Sequence, residues 1–266
     1  MLETALHDRE FTQFRQMIHR IAGISMAPSK KALVAGRLAK RLRHHGLSSY
    51  ADYFNLLGQN RSELQVAVDL LTTNETHFFR EQKHFDFLRQ RVLPLRTAGR
   101  PFRVWSAASS SGQEAYSLAM LLTDQLGESP WEVFGSDIST QVLDKARAAL
   151  YSMEQAREIP AAYLKAYCLK GVGNQSGQFT LAPALRRRVN FQQINLNERL
   201  PQVGDFDVIL LRNVMIYFEP QTKQQVVGRL LERLRPGGWF IIGHSESLNG
   251  LAHGLVAEQP SVYRKP

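Results

Sequence analysis

The residues best suited to chemistry cluster in and after the run Phe102-Arg-Val-Trp-Ser-Ala-Ala-Ser-Ser-Ser-Gly-Gln-Glu-Ala-Tyr-Ser-Leu-Ala-Met-Leu-Leu122. It reads as a buried strand, a loop of small residues and an amphipathic helix. Ala107, Ala108, Ser109, Ser110, Ser111 and Gly112 let a ligand lie against the backbone, and the helix behind them offers unpaired N–H groups. A second apolar stretch, Trp131 to Gly135, closes on Ser136-Asp137, where an acid suits a pair of ribose hydroxyls. Together these point to a nucleoside-containing cofactor. Asp137 could instead cap the next helix, although Ser139 is equally able to do so and would leave the acid free. Glu114, in the first turn of its helix, is either a ligand group or a complement to the helix dipole.

Two more stretches carry polar groups at useful places. In Thr72-Thr-Asn-Glu-Thr-His-Phe-Phe-Arg-Glu81, the residues Asn74, Thr76 and Arg80 can line a pocket shared by two segments. The alternative is that Thr and Asn cap helices while Phe78 and Phe79 fill the core. Arg212-Asn213 follows the apolar strand Phe206-Asp-Val-Ile-Leu-Leu211, at the strand end where open α/β sheets bind ligands. Tyr217 and Phe218 then fall on an exit loop or short helix above that site, unless Tyr217 is simply buried.

Other chemistries lack their residues. Gly243-His-Ser-Glu-Ser247 has no final glycine for a nucleophile elbow. None of the eight histidines has His-Glu-x-x-His spacing, so no metal is expected. The glycine loop carries neither Gly-Lys-Ser/Thr nor Gly-x-Gly-x-x-Gly. Cys168 is the single cysteine, which excludes an internal disulfide framework and a multi-cysteine zinc site and fits a reducing compartment. Met1 to Glu10 lacks the layout of a signal peptide, and no apolar run nears the ~20 residues of a membrane span. The expectation is a cytoplasmic protein without membrane insertion.

The elements that must hold these residues change character along the 266-residue chain. Residues 1–90 show helical patterning. Phe11, Phe14, Ile18 and Ile21 share one helical face, Gly23 interrupts, and Pro28 fits the start of a helix over 29–44 that Gly46 ends. Further helices fit 48–57, 62–71 and 82–92, and residues 91–101 read as a linker. From 102 to 266 strands alternate with helices. Strands fit 103–106, 132–136, 189–193, 208–211, 240–243 and 261–264, and helices fit 114–125, 140–149 and 221–234. This is the order of a mainly parallel sheet with helices on both faces. Residues 151–188 break the alternation and read as an insertion with a small hairpin, turning at Gly171 to Gly177 before a short strand at 178–182.

Charge is unevenly spread over these parts. The total is +9, and residues 1–100 hold 16 Lys/Arg against 9 Asp/Glu. The front segment therefore invites an acidic partner. On a helix over 30–44, turning roughly 100° per residue, Lys30, Arg37, Lys40, Arg41 and His44 share one face. Val34, Ala35, Leu38, Ala39 and Leu42 share the other. The cationic face can hold an acidic helix, or it is an ordinary solvated surface.

In combination, five motifs resemble the CheR family of chemotaxis receptor methyltransferases over nearly the whole length. They are Thr73 to Glu81, Trp105 to Ser117, Ser136-Asp-Ile138, Leu211-Arg-Asn-Val-Met-Ile-Tyr-Phe218 and Gly237-Gly-Trp-Phe-Ile-Ile-Gly-His-Ser-Glu-Ser-Leu248. The resemblance implies an α/β, Rossmann-like S-adenosylmethionine-dependent methyltransferase domain with an inserted small β-subdomain, preceded by an all-α N-terminal domain. It implies esterification of glutamate side chains on chemoreceptor cytoplasmic helices, with S-adenosylhomocysteine as the product. Asn74, Thr76, Arg80, Glu114, Asp137, Asn195, Leu196, Arg212 and Asn213 are expected around the cofactor, with Arg80 and Tyr217 nearest the reacting methyl. Arg37, Lys40, Arg41 and His44 are expected to meet the receptor. Some members also bind a receptor's C-terminal pentapeptide on the β-subdomain, and the turn at Lys170, Gly171 and Gly173 is similar to theirs. Thr180 stands where such a member is expected to carry a cation. Gln113, Ala115 and Leu211 depart from the family's usual Glu, Pro and Cys.

Two other classes fit less well. A nucleic-acid methyltransferase would suit the positive charge, but the chain has no Asn/Asp-Pro-Pro-Tyr/Phe loop, and Cys168 sits in the insertion rather than in a sheet motif. No nucleic-acid partner is therefore expected. A non-catalytic module that senses the cofactor is the other alternative.

Overall fold

The computed structural model describes residues 5–97 and 99–266. The expected lack of a leader at Met1 to Glu10 rests partly on Met1 to Thr4, and the expected linker includes Ala98; those five residues lie outside the described ones.

The helical front segment forms because apolar residues recur at helical spacing and cannot be buried by one helix alone. It comprises α1 (Asp8–Ala22), α2 (Lys31–His44), α3 (Tyr50–Gln59) and α4 (Arg61–Leu71). Phe11, Phe14, Ile18, Val34, Leu38, Leu42, Tyr53, Leu57, Ala67 and Val68 pack into one core. Gly23 ends α1 at φ +72°, in the left-handed region that glycine adopts without strain. The expected helix over 82–92 is α5 (Gln82–Phe87) continued by a π-helical turn, Leu88–Val92. Leu93, at the start of the expected linker, is buried in the neighbouring core.

Beyond it the elements alternate as β1 (Phe102–Ser106), α6 (Gln113–Leu126), β2 (Trp131–Asp137) and α7 (Thr140–Ala148). Then come β3 (Leu150–Ser152), α8 (Ala161–Tyr167), β4 (Cys168–Lys170), β5 (Gln178–Leu181), α9 (Pro183–Arg186) and β6 (Val189–Gln193). The last are β7 (Phe206–Leu211), α10 (Pro220–Leu231), β8 (Leu234–Ile242), β9 (Val256–Gln259) and β10 (Val262–Arg264). Seven strands form one sheet in the order β6-β2-β1-β7-β8-β10-β9. The first five are parallel, and β10 runs antiparallel to both β8 and β9. Every residue of β7 is buried, as a central strand covered on both faces requires. The sequence pattern missed β9, whose residues are all exposed and so carry no alternation. The insertion is a separate three-stranded sheet in the order β3-β5-β4.

Chain order reverses beside β1, which pairs with β2 on one side and β7 on the other. A crevice opens at the carboxyl ends of strands at such a switch point. The helical segment is clasped over that crevice. Ile24 bridges Phe218, and the Ser25 N–H donates to the Tyr217 carbonyl at 2.7 Å. Asn195 Nδ2 donates to the Ile21 carbonyl at 2.7 Å. Asp69 of α4 accepts from Thr140 N at 3.0 Å, Thr140 Oγ1 at 2.7 Å and Gln141 N at 3.2 Å.

Asp69 therefore caps α7 from another part of the chain, which corrects the expectation for Ser139. The Ser139 hydroxyl is buried and makes no hydrogen bond among the described residues. Asp69→Ala should lower stability by about 1–2 kcal/mol in a denaturant titration, whereas Ser139→Ala should stay within about 0.5 kcal/mol of wild type.

Candidate active site

One cavity of about 310 Å³ lies where the helical segment meets the carboxyl ends of β1, β2, β6 and β7. That is within the usual range for a small-molecule site. Backbone shape makes the room. Gly112 begins α6 at φ +94°, and a Cβ there would lie 2.9 Å from that of Ala146. At Gly135 a Cβ would fall 2.6 Å from the Phe191 ring, so β2 and β6 could not pair this closely. The Ser136 hydroxyl accepts from Trp105 Nε1 at 2.9 Å and donates to the Ala107 carbonyl at 3.0 Å, which fixes the loop after β1.

Asp137 ends β2 on the cavity wall. Its Oδ2 accepts from Ser110 N and its Oδ1 from Ser139 N, both at 3.0 Å. Burial raises its pKa above the ordinary carboxylate value, against the pull of these backbone donors. A carboxylate has about four acceptor sites, so these backbone donors leave capacity for a ligand hydroxyl.

Arg212 follows β7, and only 2% of its side chain is exposed. It donates to Glu114 Oε2 at 2.6 Å, to Glu81 Oε2 at 2.9 Å and to the Arg80 carbonyl. Glu114 also accepts from Ser106 Oγ at 2.7 Å, so it does more than complement the helix dipole. Glu81 accepts further from Asn213 Nδ2 at 3.3 Å and His244 N at 3.2 Å. Burial alone would raise the Glu81 pKa, but Arg212 and these donors hold it down at about 2. Asn213 sits at φ +58°, a conformation that Asn tolerates better than most residues. Glu246 accepts from Gly243 N at 2.7 Å, Asn213 N at 2.8 Å and Met215 N at 2.7 Å. The His-Ser-Glu stretch is thus a backbone clamp. Sequence reasoning assigned no role to Glu81 or Glu246; their only signal was a place inside a quoted motif.

The cavity brings together Asn74, Thr76, Arg80, Glu114, Asp137, Asn195, Leu196, Arg212, Asn213 and Tyr217. Some of them are already committed to the protein. Asn195 Nδ2 is shared by Ile21 and Glu198, and its Oδ1 takes the Asn197 N–H, so its amide braces α1. Asn74 Nδ2 donates to Thr72 Oγ1 at 3.0 Å. Arg80 lines the cavity and donates to the Glu75 carbonyl at 3.2 Å. Tyr217 is half-buried on a 3-10 turn, Met215–Tyr217, above the opening.

The basic face of α2 is not one free surface, which corrects the sequence expectation. Arg41 pairs with the buried Glu63 through Nη2 at 2.6 Å and Nε at 2.8 Å. Tyr53 donates to the same carboxylate at 2.7 Å, and His45 lies 3.0 Å from it. Arg37 donates to the carbonyls of Leu71 and Thr72 at 3.3 and 2.9 Å and borders the cavity. Lys40 and His44 are exposed, as is Arg43, which the helical projection had left out. Lys170, Gly171 and Gly173 lie apart from the cavity, on β4 and the turn after it.

Comparison with known proteins is consistent over the whole chain. Residues 74–261 match the family described as CheR methyltransferase, SAM binding domain, and residues 9–72 match CheR methyltransferase, all-alpha domain. Chemotaxis protein methyltransferase 2 of Pseudomonas aeruginosa is 41% identical over 257 residues, covering 96% of this chain and 92% of the relative. Chemotaxis protein methyltransferase of Escherichia coli is 40% identical over 264 residues, covering 97% and 91%. That of Borreliella burgdorferi is 32% identical, covering 96% and 94%.

The Glu63 cluster makes two measurable claims. Burial raises the Glu63 pKa, and the Arg41, Tyr53 and His45 bonds bring it down to about 2, below its ordinary 4.5. A depressed carboxylate pKa stabilises the fold above the unfolded value, so this contribution should be full above about pH 4.5 and fade towards pH 2. Arg41→Ala strands the buried charge and should cost about 3 kcal/mol at pH 7 by chemical denaturation. Lys40→Ala should cost almost nothing.

Proposed function

Because this chain belongs to the CheR methyltransferase family, we propose that it esterifies glutamate side chains on the cytoplasmic helices of chemoreceptors. The protein is an S-adenosylmethionine-dependent methyltransferase that modifies receptors in chemotaxis adaptation. The glutamate specificity and the residue roles below are our own reading of its site.

One observation carries that reading. Asp137 stands on the wall of the cavity with acceptor capacity left on its carboxylate, and Arg80 and Tyr217 border the same space. A ribose diol fits the two Asp137 oxygens. Ile138, Leu196 and the small residues Ala107 and Ala108 offer an apolar wall for a base. Arg212 is spent on Glu81 and Glu114, so it shapes the wall through them. Bound there, S-adenosylmethionine would supply an electrophilic methyl group and leave as S-adenosylhomocysteine.

A glutamate carboxylate is ionised at neutral pH, so the protein need not remove a proton. Its residues have to position and shield. Methylation cancels the carboxylate charge, so a tight ion pair would stabilise the starting state more than the transition state. Arg80 therefore orients the carboxylate, with its guanidinium partly held by the Glu75 carbonyl. Tyr217 closes the site against water and presents its ring or hydroxyl to positive charge. Lys40 and His44, together with Arg43, remain on α2 to meet an acidic receptor helix by charge steering. β4 is an edge strand with Leu169 exposed on it and Val172 exposed just beyond, a surface that an extended receptor tail could join by strand addition. Thr180 is on the central strand β5 and donates to the Ala149 carbonyl at 2.7 Å, so it supplies no cation there.

Receptor membranes labelled with a radioactive methyl group should release volatile methanol in mild alkali, as an ester does and a methylamine does not. Alkali-stable label would exclude glutamate esters. Asp137→Asn should weaken binding of S-adenosylhomocysteine roughly 100-fold in calorimetry. Arg80→Ala should slow turnover by about 10²-fold with little change in melting temperature, and Tyr217→Phe should slow it less. Near-normal turnover in both would remove them from the reaction. Binding of a receptor-tail peptide, measured by calorimetry, tests the β4 edge separately.

A further inference from the structure

Behind Arg212, outside the cavity lining, three ligating side chains converge. Nitrogen or oxygen atoms of Glu81, His84 and His244 all lie within 4.8 Å of one another. His84 is on α5, only 1% exposed, and His244 is exposed on the loop after β8. Their rings meet edge-on at 4.6 Å. The backbone N–H of His244 donates to Glu81 Oε1, which holds its side chain near the acid.

The two ring nitrogens of His84 face different oxygens. His84 Nε2 lies 2.8 Å from Ser261 Oγ, whose hydroxyl is also 2.6 Å from the Pro260 carbonyl. His84 Nδ1 faces Glu81 Oε2 at 3.4 Å. Nδ1 is buried and has no hydrogen-bond partner among the described residues. An unpaired ring nitrogen and a carboxylate oxygen that Arg212 also holds thus face each other inside the protein. Metal-ligating histidines commonly hold their other ring N–H on an oxygen in this way.

The Glu81–His84 edge, at 3.4 Å, already has the length that a zinc site needs, and the wider spacing to His244, up to 4.8 Å, has to close. A tetrahedral zinc site with bonds of about 2.0–2.1 Å has ligand-to-ligand edges of about 3.3–3.4 Å. Two histidines, one carboxylate and an open fourth position form a recurrent zinc set. Charge favours a cation as well. Arg212 supplies one positive charge against the two carboxylates Glu81 and Glu114, and Glu246 adds a third carboxylate on the same loop as His244.

We propose that Glu81, His84 and His244 bind one zinc-class dication next to the cofactor cavity. The exposed His244 ring swings in to complete the set. The Glu81 oxygen facing His84 also accepts from Arg212, so the ion competes with the guanidinium and loosens the wall that Arg212 braces. Zinc would thus act on methyl transfer from outside the reacting site.

Zinc chloride titrated into the full chain, without cofactor, should bind at one equivalent by calorimetry. His244→Ala leaves the core intact and should weaken that binding at least about tenfold, while Cys168→Ser should not. Cobalt in the same site should give the strong visible absorption of a four-coordinate ion, lost in His244→Ala. No binding, or equal binding in wild type and His244→Ala, overturns the proposal. Zinc should also weaken S-adenosylhomocysteine binding severalfold in wild type and much less in His244→Ala. Equal weakening in both would overturn the link to Arg212. The cofactor-free titration is independent of the proposed reaction.

Discussion

The buried guanidinium of Arg212 holds the working face of this protein together. It ties together three segments that are far apart in the chain: Glu81 before α5, Glu114 at the start of α6, and the end of β7. A charge with 2% of its side chain exposed is costly unless several acceptors surround it. Two carboxylates and the Arg80 carbonyl meet that cost. Each partner is fixed in return, which places Arg80 and the start of α6 on one cavity. Where helix, strand and loop all converge on one cation, small displacements of any of them reach the others.

Asp69 plays the matching part on the opposite wall. By capping α7 from α4 it couples the helical segment to the sheet through backbone donors that a local serine would otherwise serve. Asn195 and Ile21, and Ser25 and Tyr217, repeat the arrangement along the seam. The helical segment is therefore part of the site. It supplies Ile24, Met26, Arg37 and Leu71 to the cavity itself. Whatever disturbs its outer face can be felt at the site.

The surplus of positive charge in the front segment divides between two jobs. Arg41 serves stability, neutralising the buried Glu63 beside Tyr53 and His45. Arg37 covers the carbonyls that end α4. Lys40 and His44, with Arg43, stay exposed to solvent. Counting charges along a helix cannot separate these jobs, because a carboxylate two helices away decides which arginine is consumed.

The sequence by itself determined the succession of most elements and marked part of the cavity's lining, while Asn195 and Leu196 were expected only from the family resemblance. Periodicity marks α1 to α4, apolar runs mark the parallel strands, and small residues and acids mark the strand ends, all through interactions within a few residues of one another. The exposed β9 carried no such pattern and stayed hidden. Tertiary structure alone decided how the polar groups are paired. It assigned the cap of α7 to Asp69 instead of Ser139, spent the amide of Asn195 on α1, and removed Arg41 from the surface. It also set the buried His84 ring against Ser261, 177 residues along the chain. Such pairings depend on which atoms meet once the layers close, and spacing along the chain does not encode that.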